Sequence, residues 1–330
     1  MKAYKGFNKD MTCRGFQYEE GKTYETDEAV LCESGFHACE MPLDVFTYYP
    51  PATSEYHEVE LDKVADERNS EDTKVCAKKI KIGAKINIAN IVSAQIEYIS
   101  KKVTQEQTAT GDKGASSATG DYGASSATGD YGASSATGDY GASSATGYKG
   151  ASSATGYKGA SSATGNCGAS SATGNCGASS ATGNYGASSA TGDYGASSAT
   201  GDYGASSATG YYGASSATGD YGASSATGYK GASSATGNCG ASSATGYKGA
   251  SSANDPYAIA VAWGYYGKAK GVLGSHLVLA EWEGDENKYW APDKWKFKGA
   301  KMVQVDGEKI KADTWYTLKN GEFVEVEDEN

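Results

Sequence analysis

A nine-residue unit, T-G-x-x-G-A-S-S-A, repeats sixteen times without a gap between Thr110 and Ala253. Only the x-x pair varies, mostly among Asp-Tyr, Tyr-Lys and Asn-Cys. Leu, Ile, Val and Phe are all missing from this stretch, so it cannot fold around an ordinary apolar core. A fixed period this short is typical of a solenoid, a fibre or a disordered segment.

The chemistry of the unit favours a β-solenoid. G-x-x-G suits a turn, because Gly reaches the positive φ angles that corners need, and A-S-S-A-T is long enough for a short strand. Nine residues are too few for a closed coil, whereas two units supply two strands and two turns. The sequence therefore predicts a mainly β protein with a two-sided solenoid, 18 residues per coil and about eight coils, roughly 38 Å long at about 4.8 Å per rung. A flexible linker, or a β-helix formed only as an intertwined oligomer, are the alternatives.

Two lysines beyond the last perfect repeat indicate which side chains face inward. In the nine-residue frame continued over 254–271, Lys268 and Lys270 occupy the slots of the first Ala and the second Ser. Lysines do not fit so thin a core. We therefore expect the first Ser and the second Ala of each unit, such as Ser116 and Ala118, to point inward. The first Ala, the second Ser and the Thr, which alternate with them along the strand, should form outward rows.

Ordinary apolar residues flank the repeats, which divides the chain into an α+β N-terminal domain (1–109), the solenoid (110–253) and a β-rich cap (254–330). In the N-terminal part, Asn87 can cap a helix whose apolar stripe runs from Ile88 to Val103. We expect this helix to cover the open first coil, since solenoid ends need caps. The C-terminal part holds all five Trp and the turn signal Asn320-Gly321, which predicts a hairpin.

Charge and composition exclude several functions. The chain has 29 basic and 40 acidic residues, a net charge of −11 and only two arginines, so we expect no nucleic-acid partner and no membrane partner. No apolar run suits a membrane span, and Met1–Asp10 lacks the apolar segment of a secretion signal. With an odd number of cysteines, seven, we expect reduced thiols and a cytoplasmic location.

Two clusters in the N-terminal segment carry candidate chemistry. Cys13, Cys32, His37 and Cys39 are residue types that bind zinc, although their spacing is not that of a standard zinc finger; buried thiols and a partly exposed histidine are the simpler interpretation. A site like that of an ADP-ribosyltransferase is the second candidate. It would use Tyr4-Lys5, Gly35-Phe36-His37 and either Glu58 or Glu60, but no complete ordered motif is present. We expect no bound cofactor, with zinc as the exception to test.

Five short segments near the two ends of the chain are distinctive, and Gly/Ala/Ser/Thr repeats lie between them: YKGF (4–7), CRGFQY (13–18), CESGFHAC (32–39), KADTWY (311–316) and KNG (319–321). In these segments and in their arrangement, the chain resembles an uncharacterised domain family of phages, prophages and gut bacteria. The family has no assigned activity. The resemblance therefore implies an origin in a mobile element of a bacterial host and implies no mechanism.

These observations favour a non-catalytic structural or interaction protein, in which a rigid solenoid displays end domains and turn residues to another macromolecule. We expect this partner to be another protein, and a homo-oligomer is also compatible with the sequence. A host-directed enzyme or zinc-binding effector in the N-terminal domain is one alternative, and ice or crystal-surface binding through the Thr rows is another. The candidate binding residues lie in the turns: Asp121, Tyr122, Asp130, Tyr131, Asp139, Tyr140, Asp193, Tyr194, Asp202 and Tyr203.

Overall fold

The computed structural model describes residues 1–69, 72–102, 107–284 and 295–327. The N-terminal domain is built on a five-stranded antiparallel sheet of order β4-β7-β5-β1-β6, with a two-stranded hairpin, β2–β3, beside it. Its elements are β1 (Lys2–Asn8), β2 (Thr12–Cys13), β3 (Phe16–Gln17), β4 (Thr23–Glu25), β5 (Phe36–Cys39), a 3₁₀ turn (Pro42–Asp44), α1 (Val45–Tyr48), β6 (Ser54–Val64), β7 (Lys74–Ile86) and α2 (Ile88–Lys102).

The repeats form a two-sided parallel β-solenoid, as the sequence predicts. One sheet contains the even-numbered strands and the other the odd-numbered strands. The even strands are β8 (Gln107–Thr110), β10 (Ala124–Thr128), β12 (Ala142–Thr146), β14 (Ala160–Thr164), β16 (Ala178–Thr182), β18 (Ala196–Thr200), β20 (Ala214–Thr218), β22 (Ala232–Thr236), β24 (Ala250–Ala253) and β26 (Lys268–Gly271). The odd strands are β9 (Ala115–Thr119), β11 (Ala133–Thr137), β13 (Ala151–Thr155), β15 (Ala169–Thr173), β17 (Ala187–Thr191), β19 (Ala205–Thr209), β21 (Ala223–Thr227), β23 (Ala241–Thr245), β25 (Ile259–Ala262) and β27 (His276–Glu283).

Identical residues stack directly on one another, so each slot of the unit becomes a row along the solenoid. The first Ser and the second Ala face inward, which confirms the assignment made from Lys268 and Lys270. The inward Ser hydroxyls form one continuous chain between the two sheets, each donating to the Ser nine residues earlier at 2.9–3.0 Å for most of its length. This chain satisfies the polar groups of a core too thin for larger side chains.

The solenoid has about ten turns, more than the eight that the perfect repeats supply. The additional strands come from β8 before the repeats and from β25, β26 and β27 after them. The degenerate segment keeps its register, because Ile259 stacks on Ala241 and Lys268 stacks on Ala250. The inward side chains of β25 and β26 stay small, since they are Ala260, Ala262, Ala269 and Gly271.

The first Gly of each unit lies where backbones of successive coils approach most closely. Gly138 has φ +150°, and a Cβ added to it would lie 1.7 Å from the carbonyl oxygen of Gly120, one coil earlier. Any larger residue would separate the two rungs, so this glycine is required both by its backbone angle and by the space.

Helix α2 begins as predicted, since the backbone N–H of Asn90 donates to the side-chain oxygen of Asn87 at 2.8 Å. Its position differs from the expected cover over the first coil. It lies along the outward face of the even sheet and contacts β10, β12, β14, β16 and β18. Fifteen helical residues span about 22 Å, close to the roughly 19 Å between the first and last of these strands, so the helix runs along the solenoid. Val103 lies outside the described residues.

The C-terminal segment closes the far end of the solenoid. Strand β28 (Lys296–Gln304) pairs antiparallel with β27, and the hairpin β29 (Tyr316–Lys319) and β30 (Glu322–Glu325) extends the even sheet beyond β26. The predicted Asn-Gly turn is confirmed, with φ +52° at Asn320 and +72° at Gly321. Leu277 and Leu279 replace the small inward residues of the last coil and pack against the cap.

Candidate binding sites

The two solenoid sheets are unequal because the N-terminal domain covers only one of them. On the even sheet, the outward Ala142, Ala160 and Ala178 are fully buried beneath the domain. On the odd sheet, which we call the bare sheet, the corresponding Ala rows are exposed, and so are most of the Ser and Thr beside them. The bare sheet therefore presents three parallel, uncharged rows of small side chains.

The two rows of turns are also unequal. Turns that lead from the odd sheet to the even sheet lie beside the N-terminal domain and are called here the docked edge; those on the opposite side are the free edge. The docked edge holds the predicted binding residues Asp121, Tyr122, Asp139, Tyr140, Asp193 and Tyr194, and the free edge holds Asp130, Tyr131, Asp202 and Tyr203.

Tyr140 and Tyr194 differ from the other eight predicted residues, because both are only partly exposed and pack against the N-terminal domain. The other eight are exposed. The structure therefore separates predicted residues that are available to a partner from two that hold the molecule together. Repeats of nearly identical sequence do not reveal this difference.

The free edge carries a stacked row of tyrosines. Tyr185, Tyr203 and Tyr221 have ring centroids 5.1 Å apart and ring planes within 9° of parallel. Each ring is nevertheless more than half exposed. Tyr203 is held between the other two rings, and the row presents ring edges and hydroxyls to solvent.

The docked edge contains an ion pair that the sequence analysis missed. Lys158 Nζ donates to Asp44 Oδ1 at 2.5 Å, with both side chains almost fully buried. The other carboxylate oxygen accepts from the backbone N–H and the hydroxyl of Thr73. Burial alone would lower the pKa of Lys158, but the Asp44 carboxylate outweighs it, and the pKa is raised. One coil further on, the Cys176 thiol lies buried 3.8 Å from the Thr47 hydroxyl.

A cavity of about 490 Å³ opens in the N-terminal domain between the main sheet, the β2–β3 hairpin and helix α1. The predicted zinc residues Cys13, Cys32, His37 and Cys39 all line it. Seven Phe and Tyr residues form much of the rest of its wall: Tyr4, Phe16, Tyr18, Tyr24, Phe36, Tyr48 and Tyr49. This volume is within the range of pockets that bind small molecules.

The four predicted zinc residues line the same cavity, but their side chains are not grouped as metal ligands. Within the described residues, no group of three or more His, Cys, Asp or Glu side chains could hold a metal ion. His37 Nε2 accepts the backbone N–H of Cys32 at 2.9 Å, so this nitrogen is already engaged. Burial raises the pKa of the Cys39 thiol well above its ordinary value, which opposes the thiolate form that zinc needs.

Three cations of the cavity lie close enough to His37 to affect its pKa. Burial lowers the pKa of this histidine, and the charges of Lys5, Lys74 and Arg14 lower it further. His37 is therefore neutral at pH 7. Lys5, Arg14 and Lys74 all line the cavity, together with the carboxylates of Glu25 and Glu33.

Lys5, which the sequence analysis named only within the Tyr4-Lys5 pair, is buried in the wall of the cavity. Its side chain is 5% exposed, and its Nζ donates to the backbone oxygen of His37 at 2.9 Å and to Cys13 Sγ at 3.5 Å. It lies on β1 between Ala3 and Phe7, which face the same buried side. The sequence signal that could have revealed its burial is a lysine at an inward position of an otherwise apolar strand.

The candidate carboxylates of an ADP-ribosyltransferase-like site lie elsewhere. Glu58 forms an ion pair with Lys2, and Glu60 forms one with Lys81. Both carboxylates line a separate, smaller pocket of about 190 Å³. The structure therefore does not place either glutamate beside His37 in the large cavity.

Comparison with known proteins identifies similarity only at the N-terminus. A family model described as a domain of unknown function (DUF7666) matches residues 1–94. No curated protein and no solved structure matches the chain. In the described parts of the chain, none of the helices is long and apolar enough to cross a membrane.

Proposed function

We propose that this chain is a non-catalytic interaction protein whose free edge binds another protein. The observation that carries the proposal is the exposed stack of Tyr185, Tyr203 and Tyr221. Rigid tyrosines lose little conformational entropy on binding, and the surrounding Gly, Ser and Asn supply adaptable hydrogen bonds, a combination that antibody binding loops also use. The N-terminal domain supports this role by holding the opposite side of the solenoid.

The expected partner has a basic surface. Asp202 and Asp220 precede Tyr203 and Tyr221 in their turns and are exposed, and the whole chain has a net charge of −11. Complementary charge favours encounter with a Lys- or Arg-rich protein. An origin in a phage or prophage, which the sequence resemblance supports, is part of the same proposal.

The test is a pull-down of proteins from a lysate of the cells that make this chain, with bound proteins identified by mass. Asp202→Lys and Tyr203→Ala alter the free edge, whereas Asp121→Lys makes the matched charge change on the docked edge. A basic partner should bind the wild type and Asp121→Lys and be lost from the other two. Equal retention by all variants, or no specific partner, would contradict the proposal.

Ice or crystal-surface binding is a second candidate, favoured by the regular exposed Thr rows. On the bare sheet, Thr137, Thr155 and Thr173 are exposed and stack in register. Ice-recrystallisation inhibition by the wild type, lost in Thr155→Tyr, would support this function. Inhibition that the substitution leaves unchanged, or no inhibition at all, would exclude the row as an ice-binding surface.

A further inference from the structure

Two lysines are buried in the described part of the chain, and their surroundings are opposite. Lys158 is buried together with the Asp44 carboxylate. Lys5 is buried to a similar extent, yet within the described residues no carboxylate forms an ion pair with it. A buried ammonium without a counter-charge is costly, and proteins usually avoid it unless the group has another role.

The remaining surroundings of Lys5 do not replace the missing counter-charge. Its ammonium lies 5.4 Å from the centre of the Phe7 ring and 5.6 Å from that of Tyr18, and its two hydrogen-bond acceptors are a carbonyl and a thiol sulfur. An ammonium has three donors, so one donor is left for a ligand. Burial lowers the pKa of Lys5, as expected for a cation without a carboxylate.

Two further cations line the same cavity. Arg14 is exposed and, within the described part of the chain, forms no ion pair, while Lys74 lies over the Tyr48 ring at 4.4 Å. Two carboxylates also belong to the lining. Glu25 is paired with Lys79 at 2.5 Å, and Glu33 is exposed. The deep part of the cavity is therefore positive and its walls are aromatic.

We propose that this cavity is a binding site for a small aromatic anion, whose carboxylate or phosphate accepts a hydrogen bond from the remaining N–H of the Lys5 ammonium. The ring of the ligand packs among the aromatic side chains that line the wall, and Arg14 lies where it can contact the anion at the opening. The ligand thereby supplies the negative charge that pairs with the Lys5 ammonium. This site is independent of the proposed protein-binding edge.

The experiment measures thermal unfolding of the full chain with four small probes. Phenyl phosphate and benzoate are aromatic anions with different charged groups, phenol is the neutral ring, and inorganic phosphate lacks the ring. We expect one or both aromatic anions to raise the Tm of the wild type by roughly 2–4 °C at saturation, and phenol and phosphate to have smaller effects. The arm that responds distinguishes a carboxylate ligand from a phosphate ligand.

Lys5→Met tests the role of the amine, and Lys2→Met is the matched control on the same strand, because Lys2 is exposed and pairs with Glu58. We expect Lys5→Met to lose the response to the aromatic anions and to have a higher Tm than the wild type without ligand. Lys2→Met should keep the response. A purely structural lysine would instead give a lower Tm when replaced.

Chemical labelling provides a second measurement that needs no variant. Phenyl phosphate or benzoate should slow acetylation of Lys5 by acetic anhydride while leaving that of Lys2 unchanged. The proposal is overturned if no aromatic anion shifts the wild-type Tm, if phenol shifts it equally, or if Lys5→Met responds as the wild type does.

Discussion

At the scale of single residues, Lys158 and Lys149 share the local sequence T-G-Y-K-G-A but have different surroundings. Lys158 lies on the docked edge and pairs with Asp44, whereas Lys149 lies on the free edge and is exposed. Removing one member of a buried ion pair leaves the other charge without compensation, which costs about 3–5 kcal/mol.

We therefore expect Lys158→Met to lower the free energy of unfolding by about 3–5 kcal/mol and Lys149→Met to change it by less than about 0.5 kcal/mol. Denaturant unfolding followed by circular dichroism measures both. Equal effects of the two substitutions would show that the N-terminal domain does not rest on the docked edge.

The pH dependence of stability distinguishes Lys5 from other lysines. Its pKa is lowered from 10.5 in the folded protein, so between the folded pKa and about 10.5 the unfolded chain binds more protons. Stability contributed by this group therefore rises with pH across that window. Lys5→Met should be more stable than the wild type at pH 7, and the difference should narrow by pH 10. Denaturant unfolding at the two pH values checks this, and a difference that widens would contradict it.

At the scale of the elements, each coil depends on close backbone contact at its first glycine. Gly120 and Gly138 occupy the same slot and both have positive φ, +126° and +150°. A Cβ on Gly138 would lie 1.7 Å from a carbonyl oxygen, whereas a Cβ on Gly120, in the first coil, meets nothing within 4 Å.

Gly138→Ala should therefore lower the Tm clearly more than Gly120→Ala, because both substitutions introduce the same strain in φ but only the first adds a clash. Differential scanning calorimetry of the two variants against the wild type measures the difference. Similar Tm values would indicate that successive coils can separate at this edge without much cost.

At the scale of the whole molecule, the N-terminal domain docks against particular coils of the solenoid. Its sheet, α1 and α2 share a core with Ala160, Cys176, Ala178 and Ala196. Deleting the entire repeat region would uncover this apolar face, so point variants are better probes of function than a deletion from Thr110 to Ala253.

Deleting one 18-residue coil tests whether the N-terminal domain must dock against these particular coils. Removal of residues 119–136, which precede Lys158, places Cys176 where Lys158 meets Asp44 and leaves that carboxylate buried without its partner. Removal of residues 200–217, which follow Lys158 and Cys176, keeps the pair. We expect the first deletion to lower the Tm by several degrees more than the second. Equal Tm values would show that the domain can dock at any coil.

Much of this architecture follows from the sequence. The unit of nine residues with paired glycines predicted the 18-residue coil, and the two lysines at 268 and 270 predicted the inward slots, because strand side chains alternate between two faces. The capped helix from Ile88 was also predicted, since its apolar residues recur at helical spacing. The cysteines and His37 were correctly grouped in one region, but only as residue types.

The tertiary structure alone decided which sheet is covered and which turn residues are buried. Lys149 and Lys158, like Cys167 and Cys176, have the same neighbours in sequence, and they differ only in the edge of the solenoid on which they fall. Asp44 and Thr47 of the N-terminal domain contact Lys158 and Cys176 on the docked edge. Local sequence cannot encode this choice, because contacts between residues more than 100 positions apart determine the burial of Lys158 and its pairing with Asp44.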